Sequence, residues 1–181
     1  MLVFPLRKHM PHILLLAVAA FFLVLTQASA QSPAIPPAAH SSAELDLTKG
    51  KIFGATMGMD ETATRKALSA SHITRIEKVN YPHYFLLQSR DIPGIIFNFR
   101  GGKKLNEIYT NSPQVKLSNG LKWGDPIKKF TKLLGPPSTP HRLPSGVGEE
   151  LNYPLGRLEL GIIYLYAKPE VAQALTLRVR K

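Results

Sequence analysis

The chain has 181 residues, no cysteine, and 23 Lys and Arg against 12 Asp and Glu, a formal charge of +11. The missing cysteines exclude disulfides, thiolate metal sites and cysteine nucleophiles, so stability has to come from packing alone. The basic balance points to an acidic partner, and no nucleic-acid-binding motif accompanies it.

Residues 1–30 have the three parts of a secretory signal: Arg7 and Lys8, the uncharged run Ile13–Leu25, and the small-x-small site Ala28-Ser29-Ala30. The run has 13 residues, short of the roughly 20 that cross a bilayer as a permanent helix. Cleavage is expected after Ala30, leaving 151 residues with a charge of +9. That length suits one ordinary domain or two small repeats sharing a core. Gln31 follows the site and no cysteine is available for lipid attachment. The expected location is therefore the periplasm or beyond it, with no transmembrane segment after cleavage.

Residues 31–43 are rich in Pro, Ala and Ser without apolar periodicity and read as a flexible linker. A first unit, residues 44–112, follows. Its helix spans about Asp60–Ala70, with Asp60 and Glu61 in the first turn, where carboxylates cap free N–H groups and oppose the helix dipole. Ile73–Val79 fits a strand or a further helical turn. Tyr84–Ser89 and Ile95–Arg100 read as strands about the turn Asp91–Gly94, and the Gly101-Gly102 pair predicts a tight hairpin into Leu105–Asn111.

The second unit, residues 113–181, repeats that order. In Gly120–Pro137, Asp125 reads as an N-cap with Pro126 at the first helical position. Ile127, Phe130, Leu133 and Leu134 form the apolar stripe, Lys128, Lys129 and Lys132 the wet side, and Gly135-Pro136-Pro137 the stop. Trp123 is assigned to the packed start of this helix. After a loop over Ser138–Gly148, the segments Glu150–Tyr153, Arg157–Tyr166 and Ala174–Arg180 read as strands.

Register tests the duplication. Gly54 and Gly58 match Gly120 and Gly124 at a spacing of 66, and Asn80-Tyr81-Pro82 recurs as Asn152-Tyr153-Pro154. Ile95–Phe99 recurs as Ile162–Tyr166 at a spacing of 67, which also sets Ile108 on Leu175.

The G-x-x-x-G turn, the short helix ending Leu133-Leu134-Gly135-Pro136-Pro137 and the following hairpin resemble the repeat of the β-lactamase inhibitory protein family. The same unit is similar to the single repeat of small lipoproteins of the outer-membrane β-barrel assembly machinery. The resemblance implies an α+β fold: two tandem helix-plus-antiparallel-hairpin repeats forming one curved antiparallel sheet, with helices on one face. It implies protein binding more than catalysis. The cysteines of inhibitor-type members and the lipid-accepting cysteine of the lipoproteins are both absent here, so neither group's particular target carries over.

Catalytic constellations are poor. His72, His83 and His141 lack metal-ligand spacing. Pro144–Gly148 lacks the upstream glycine of a nucleophile elbow. No cofactor, metal site or enzymatic activity is expected.

Strand alternation identifies a surface instead. With Ile95, Phe97 and Phe99 inward, Ile96, Asn98 and Arg100 face away from the helices. By register Ile162, Tyr164 and Tyr166 face inward and Ile163 and Leu165 outward; in the last strand Leu175, Leu177 and Val179 pack while Arg178 and Arg180 project. Tyr109 joins this open face. Aromatic and arginine side chains are common interface anchors. The expected function is that of an exported, non-enzymatic module docking a protein or envelope partner there, an acidic protein surface or an anionic envelope component. The alternative is a structural envelope or outer-membrane assembly factor binding anionic lipid or glycan.

Overall fold

The computed structural model describes residues 43–180 other than 102 and 139. The signal segment, its cleavage site and residues 31–42 lie outside the described residues. Ala43, assigned above to the linker, opens the first strand.

In chain order the elements are β1 (Ala43–Leu45), β2 (Lys51–Ile52), β3 (Ala55–Thr56), α1 (Glu61–Ala70), β4 (Ile76–Tyr81), β5 (Tyr84–Ser89), β6 (Ile95–Arg100) and β7 (Glu107–Thr110). There follow β8 (Val115–Leu117), α2 (Ile127–Leu134), β9 (His141–Arg142), β10 (Gly148–Leu155), β11 (Leu158–Leu165) and β12 (Ala174–Val179). Eight strands form one antiparallel sheet in the order β4-β5-β6-β7-β12-β11-β10-β9, and two small pairs, β1-β8 and β2-β3, stand apart from it. Among the described residues the fold is thus mixed but mostly sheet, with two helices.

The sheet's inner face shows why these residues make these strands. Leu87, Phe97, Ile108, Leu177, Leu160 and Tyr153 are successive cross-strand partners, and all are buried. Each such side chain taken out of water contributes about 1.5–3 kcal/mol. Leu68 of α1 and Phe130 of α2 belong to the same core, so both helices cover this face.

The helices start differently. Asp60 caps α1 through its side chain, which accepts from the Ala63 N–H at 2.8 Å. In α2 the residue before the helix is Pro126, which offers no side-chain cap. Asp125, read above as the cap, instead accepts from the Lys122 N–H at 2.9 Å and from Lys129 Nζ at 3.0 Å, closing the preceding turn. Phe130 is buried and Ile127 and Leu134 pack on the core, but Leu133, assigned to the same stripe, is 54% exposed. Trp123 is half-buried, and its indole N–H donates to Gln173 O at 2.6 Å, tying the approach to α2 to the approach to β12.

Of the two readings left open for Ile73–Val79, the strand is the one that forms, as β4 (Ile76–Tyr81) at the edge of the sheet. Three further details depart from the sequence reading. The parallel pair β1-β8 was not anticipated. Val179 and Tyr166, both assigned inward, are exposed because each sits at or beyond its strand's end.

The turns before the two helices are built alike. Gly54, Gly58, Gly120 and Gly124 all have φ between +78° and +91°, a region open to glycine at no steric cost. Gly58 N–H donates to Leu105 O, and Leu105 N–H to Met59 O. Gly124 N–H donates to Ala172 O, and Ala172 N–H to Asp125 O.

Candidate binding surface

The face opposite the helices holds every residue of the expected surface. Register sets Ile96 beside Tyr109 and Tyr109 beside Thr176, in one row across β6, β7 and β12. The next row is Asn98, Glu107, Arg178 and Glu159. Arg100 and Arg180 lie toward one end of the face, and Ile163 and Leu165 toward the other, opposite Ala174 and Gly148.

The two halves of this face differ in chemistry. On the β4–β7 side Val79, Leu86, Ile96 and Tyr109 are half-exposed and apolar. Burial pushes the Tyr109 hydroxyl above its ordinary pKa. On the β10–β12 side Ile163 and Leu165 lie at one end, and the rest of the surface is a closed polar network. Arg178 donates to Glu159 at 2.8 Å and to Asn152 Oδ1 at 2.6 Å, and pairs with Glu150 at 3.0 Å. Thr176 donates to Glu150 at 2.7 Å. Burial works against the Arg178 charge, but the Glu159 hydrogen bond and the Glu150 charge outweigh it and raise its pKa.

Asn98, expected to project, is buried and donates to Glu107 Oε1 at 2.6 Å. Arg100 reaches Glu107 at 3.4 Å and remains 66% exposed in its side chain. Arg180 is exposed, and its guanidinium donates to Gly156 O at 3.5 Å. The three arginines are therefore not equivalent: Arg178 is neutralised by its own chain, while Arg100 and Arg180 stay at the rim.

Sequence reasoning missed the carboxylates Glu107, Glu150 and Glu159. Alternation does set Glu159 on the face of Ile163 and Leu165, but only the pairing of β10, β11 and β12 brings Glu150 to Arg178. It also missed Val79, whose placement depends on β4 being a strand, and Leu86, which parity on Tyr84–Ser89 sets opposite Asn98. No group of three or more His, Asp or Glu able to hold a metal occurs among the described residues, and no helix there is long and apolar enough to cross a membrane.

No protein-family model matches the chain, and no curated protein matches it. Two solved structures are similar in outline. A DUF4309 family protein from Bacillus subtilis matches with a TM-score of 0.46 at 17% identity, over 67% of this chain and 78% of that one. A cysteine-rich secretory protein from Staphylococcus aureus matches with a TM-score of 0.48 at 12% identity, over 68% of this chain and 44% of that one. Likenesses of this size carry no functional argument.

Proposed function

We propose that the protein is an exported, non-enzymatic binding module that docks a protein or envelope partner on the open face of its sheet. The observation that carries this reading is the apolar group Val79, Leu86, Ile96 and Tyr109, half-exposed on the face away from the helices. An apolar centre with a polar, arginine-bearing rim has the composition of a protein interface. Arg100 and Arg180 supply the rim and suit an acidic border on the partner. Arg178 holds the surface together from within.

The module is further proposed to be a tandem duplication with units at 44–112 and 113–181, as the resemblance to the β-lactamase inhibitory protein repeat implies. Three features support this. The four glycines at a spacing of 66 share one backbone conformation. The reciprocal bonds of Gly58 and Met59 with Leu105 recur for Gly124 and Asp125 with Ala172. The strand order places β4 to β7 and β9 to β12 as mirrored sets about the β7–β12 seam.

Photo-crosslinking tests the docking face. A crosslinking residue at position 96 should trap a discrete partner in envelope extracts, and one at position 133, on the helix side, should not. Tyr109→Ala should reduce the position-96 product. Equal products from both positions would overturn the proposed face.

A second reading, a structural factor that holds anionic lipid or glycan, is favoured by one feature. Leu133, the most exposed large apolar side chain described, lies among the exposed Lys128, Lys129 and Lys132. Co-sedimentation with phosphatidylglycerol vesicles that is lost in Leu133→Asp would select this reading over the first.

A further inference from the structure

We infer that the tip of the β4–β5 hairpin is a binding site for a neutral oligosaccharide. The site lies on the same open face as the Ile96–Tyr109 centre, beyond Val79 and Leu86 at the hairpin's tip. It is a shallow, largely open cleft of about 490 Å³ lined by Asn80, Tyr81, His83, Tyr84 and their neighbours up to Gly101.

Its aromatic part is preformed. Tyr81 and Tyr84 are cross-strand partners, and their rings stack with centroids 4.5 Å apart and planes 10° from parallel. Each ring covers one face of the other, and Tyr81 remains 39% exposed. A single flat aromatic face suits the C–H face of a pyranose ring, which is apolar on one side and hydroxyl-bearing at its edge.

The polar part faces solvent. Tyr153, Tyr164 and Tyr166 engage their hydroxyls with Thr131 or Glu149, while among the described residues those of Tyr81, Tyr84 and Tyr109 make no side-chain hydrogen bond. Among the described residues no such side-chain hydrogen bond engages Tyr81, His83 or Tyr84, which border the cleft; Asn80 borders it too, but as the partner of Phe85 it points to the opposite face of the ribbon from the two tyrosines. Together His83 and the two tyrosines offer an imidazole and two phenols, each able to donate and to accept. A polyhydroxylated ligand can use all three.

Charge narrows the ligand class. Among the described residues no carboxylate and no lysine lines the cleft, although the chain as a whole carries +11. Arg100, opposite Tyr84 on β6, adds one donor at the border. A proline-rich peptide is the other ligand that aromatic clefts take, but it seats its rings in grooves between separate aromatic ridges. Here the two tyrosines close on each other and leave no groove between them.

The test is calorimetric titration of the purified protein with chitohexaose, cellohexaose and maltohexaose. At least one should bind saturably, and Tyr81→Ala should weaken it ~tenfold or more. Tyr84→Phe keeps the stack and removes one hydroxyl, so it should weaken binding with an unchanged melting temperature. Ile96→Asp should leave sugar binding intact, which separates this site from the docking centre. Binding by none of the three sugars, equal binding by wild type and Tyr81→Ala, or binding of a nonaproline peptide in their place would each overturn the inference.

Discussion

A Cβ added at Gly161 would collide with the Glu150 carboxylate and the Thr176 hydroxyl, because Glu150 reaches across β11 above this glycine to meet Thr176 and Arg178. No unusual backbone angle calls for glycine at this position, so the requirement is one of space alone. Gly161→Ala should cost about 1–3 kcal/mol in urea unfolding, through displacement of a partly buried carboxylate. Arg178→Met should cost a similar ~1–3 kcal/mol, since it leaves Glu150 and Glu159 facing each other without their cation. A stable Arg178→Glu variant would show that the network contributes nothing. Acid response should be local too. Glu61 is held below its ordinary pKa of 4.5 chiefly by the Lys78 hydrogen bond, with Arg65 adding to it against a smaller effect of burial. The unfolded chain therefore takes up the proton first on acidification. This stabilisation is complete above about pH 4.5 and disappears as the pH falls through the folded value. Urea midpoints of wild type and Lys78→Met should accordingly converge between about pH 6 and pH 3; a constant gap would refute the pairing.

Element by element, what could be read depended on how one-sided each segment is. β5 and β6 run as Tyr84–Ser89 and Ile95–Arg100, the very spans that alternation gave. β4 defeated the same rule because an edge strand is wet on most positions, with only Ile76 and Val79 half-buried. β1 and β8 have three residues each and pair across about seventy positions of chain, too short and too distant for a local pattern. The α2 stripe was misjudged by one residue for a geometric reason. At about 100° per residue, Ile127, Phe130 and Leu134 fall within about 60° of arc, while Leu133 lies about 60° beyond Phe130. Phe130→Ala should thus cost about 3–5 kcal/mol, whereas Leu133→Lys should stay within about 0.5 kcal/mol. Thermal melts of the two variants check this directly. As for the open face, the side of β6, β7, β11 and β12 that forms it was legible from parity, but neither the burial of Asn98 nor the charge balance was. Arg178 looks like a free cation until the strands bring Glu150 and Glu159 beside it.

For the whole molecule, the two proposed units are interlocked rather than merely adjacent. The main sheet runs unbroken through the β7–β12 pair, one core spans both units, and β1 of the first unit pairs with β8 of the second. Neither half should fold alone. Far-ultraviolet dichroism and the fluorescence of Trp123 should report one coincident unfolding transition; a separately expressed 44–112 fragment with a cooperative melt would contradict this. The seam has one more consequence. Tyr109 and Thr176 face each other across it, and they are also the same position at the spacing of 67 that sets Ile108 on Leu175. In a symmetric ancestor made of two identical chains, that position would have sat on the twofold axis, and any substitution there would have struck the surface twice. On the proposed duplication, fusion into one chain would have ended that coupling. The middle of the surface now carries a tyrosine on one side and a threonine on the other, so a partner need not be symmetric to fit it.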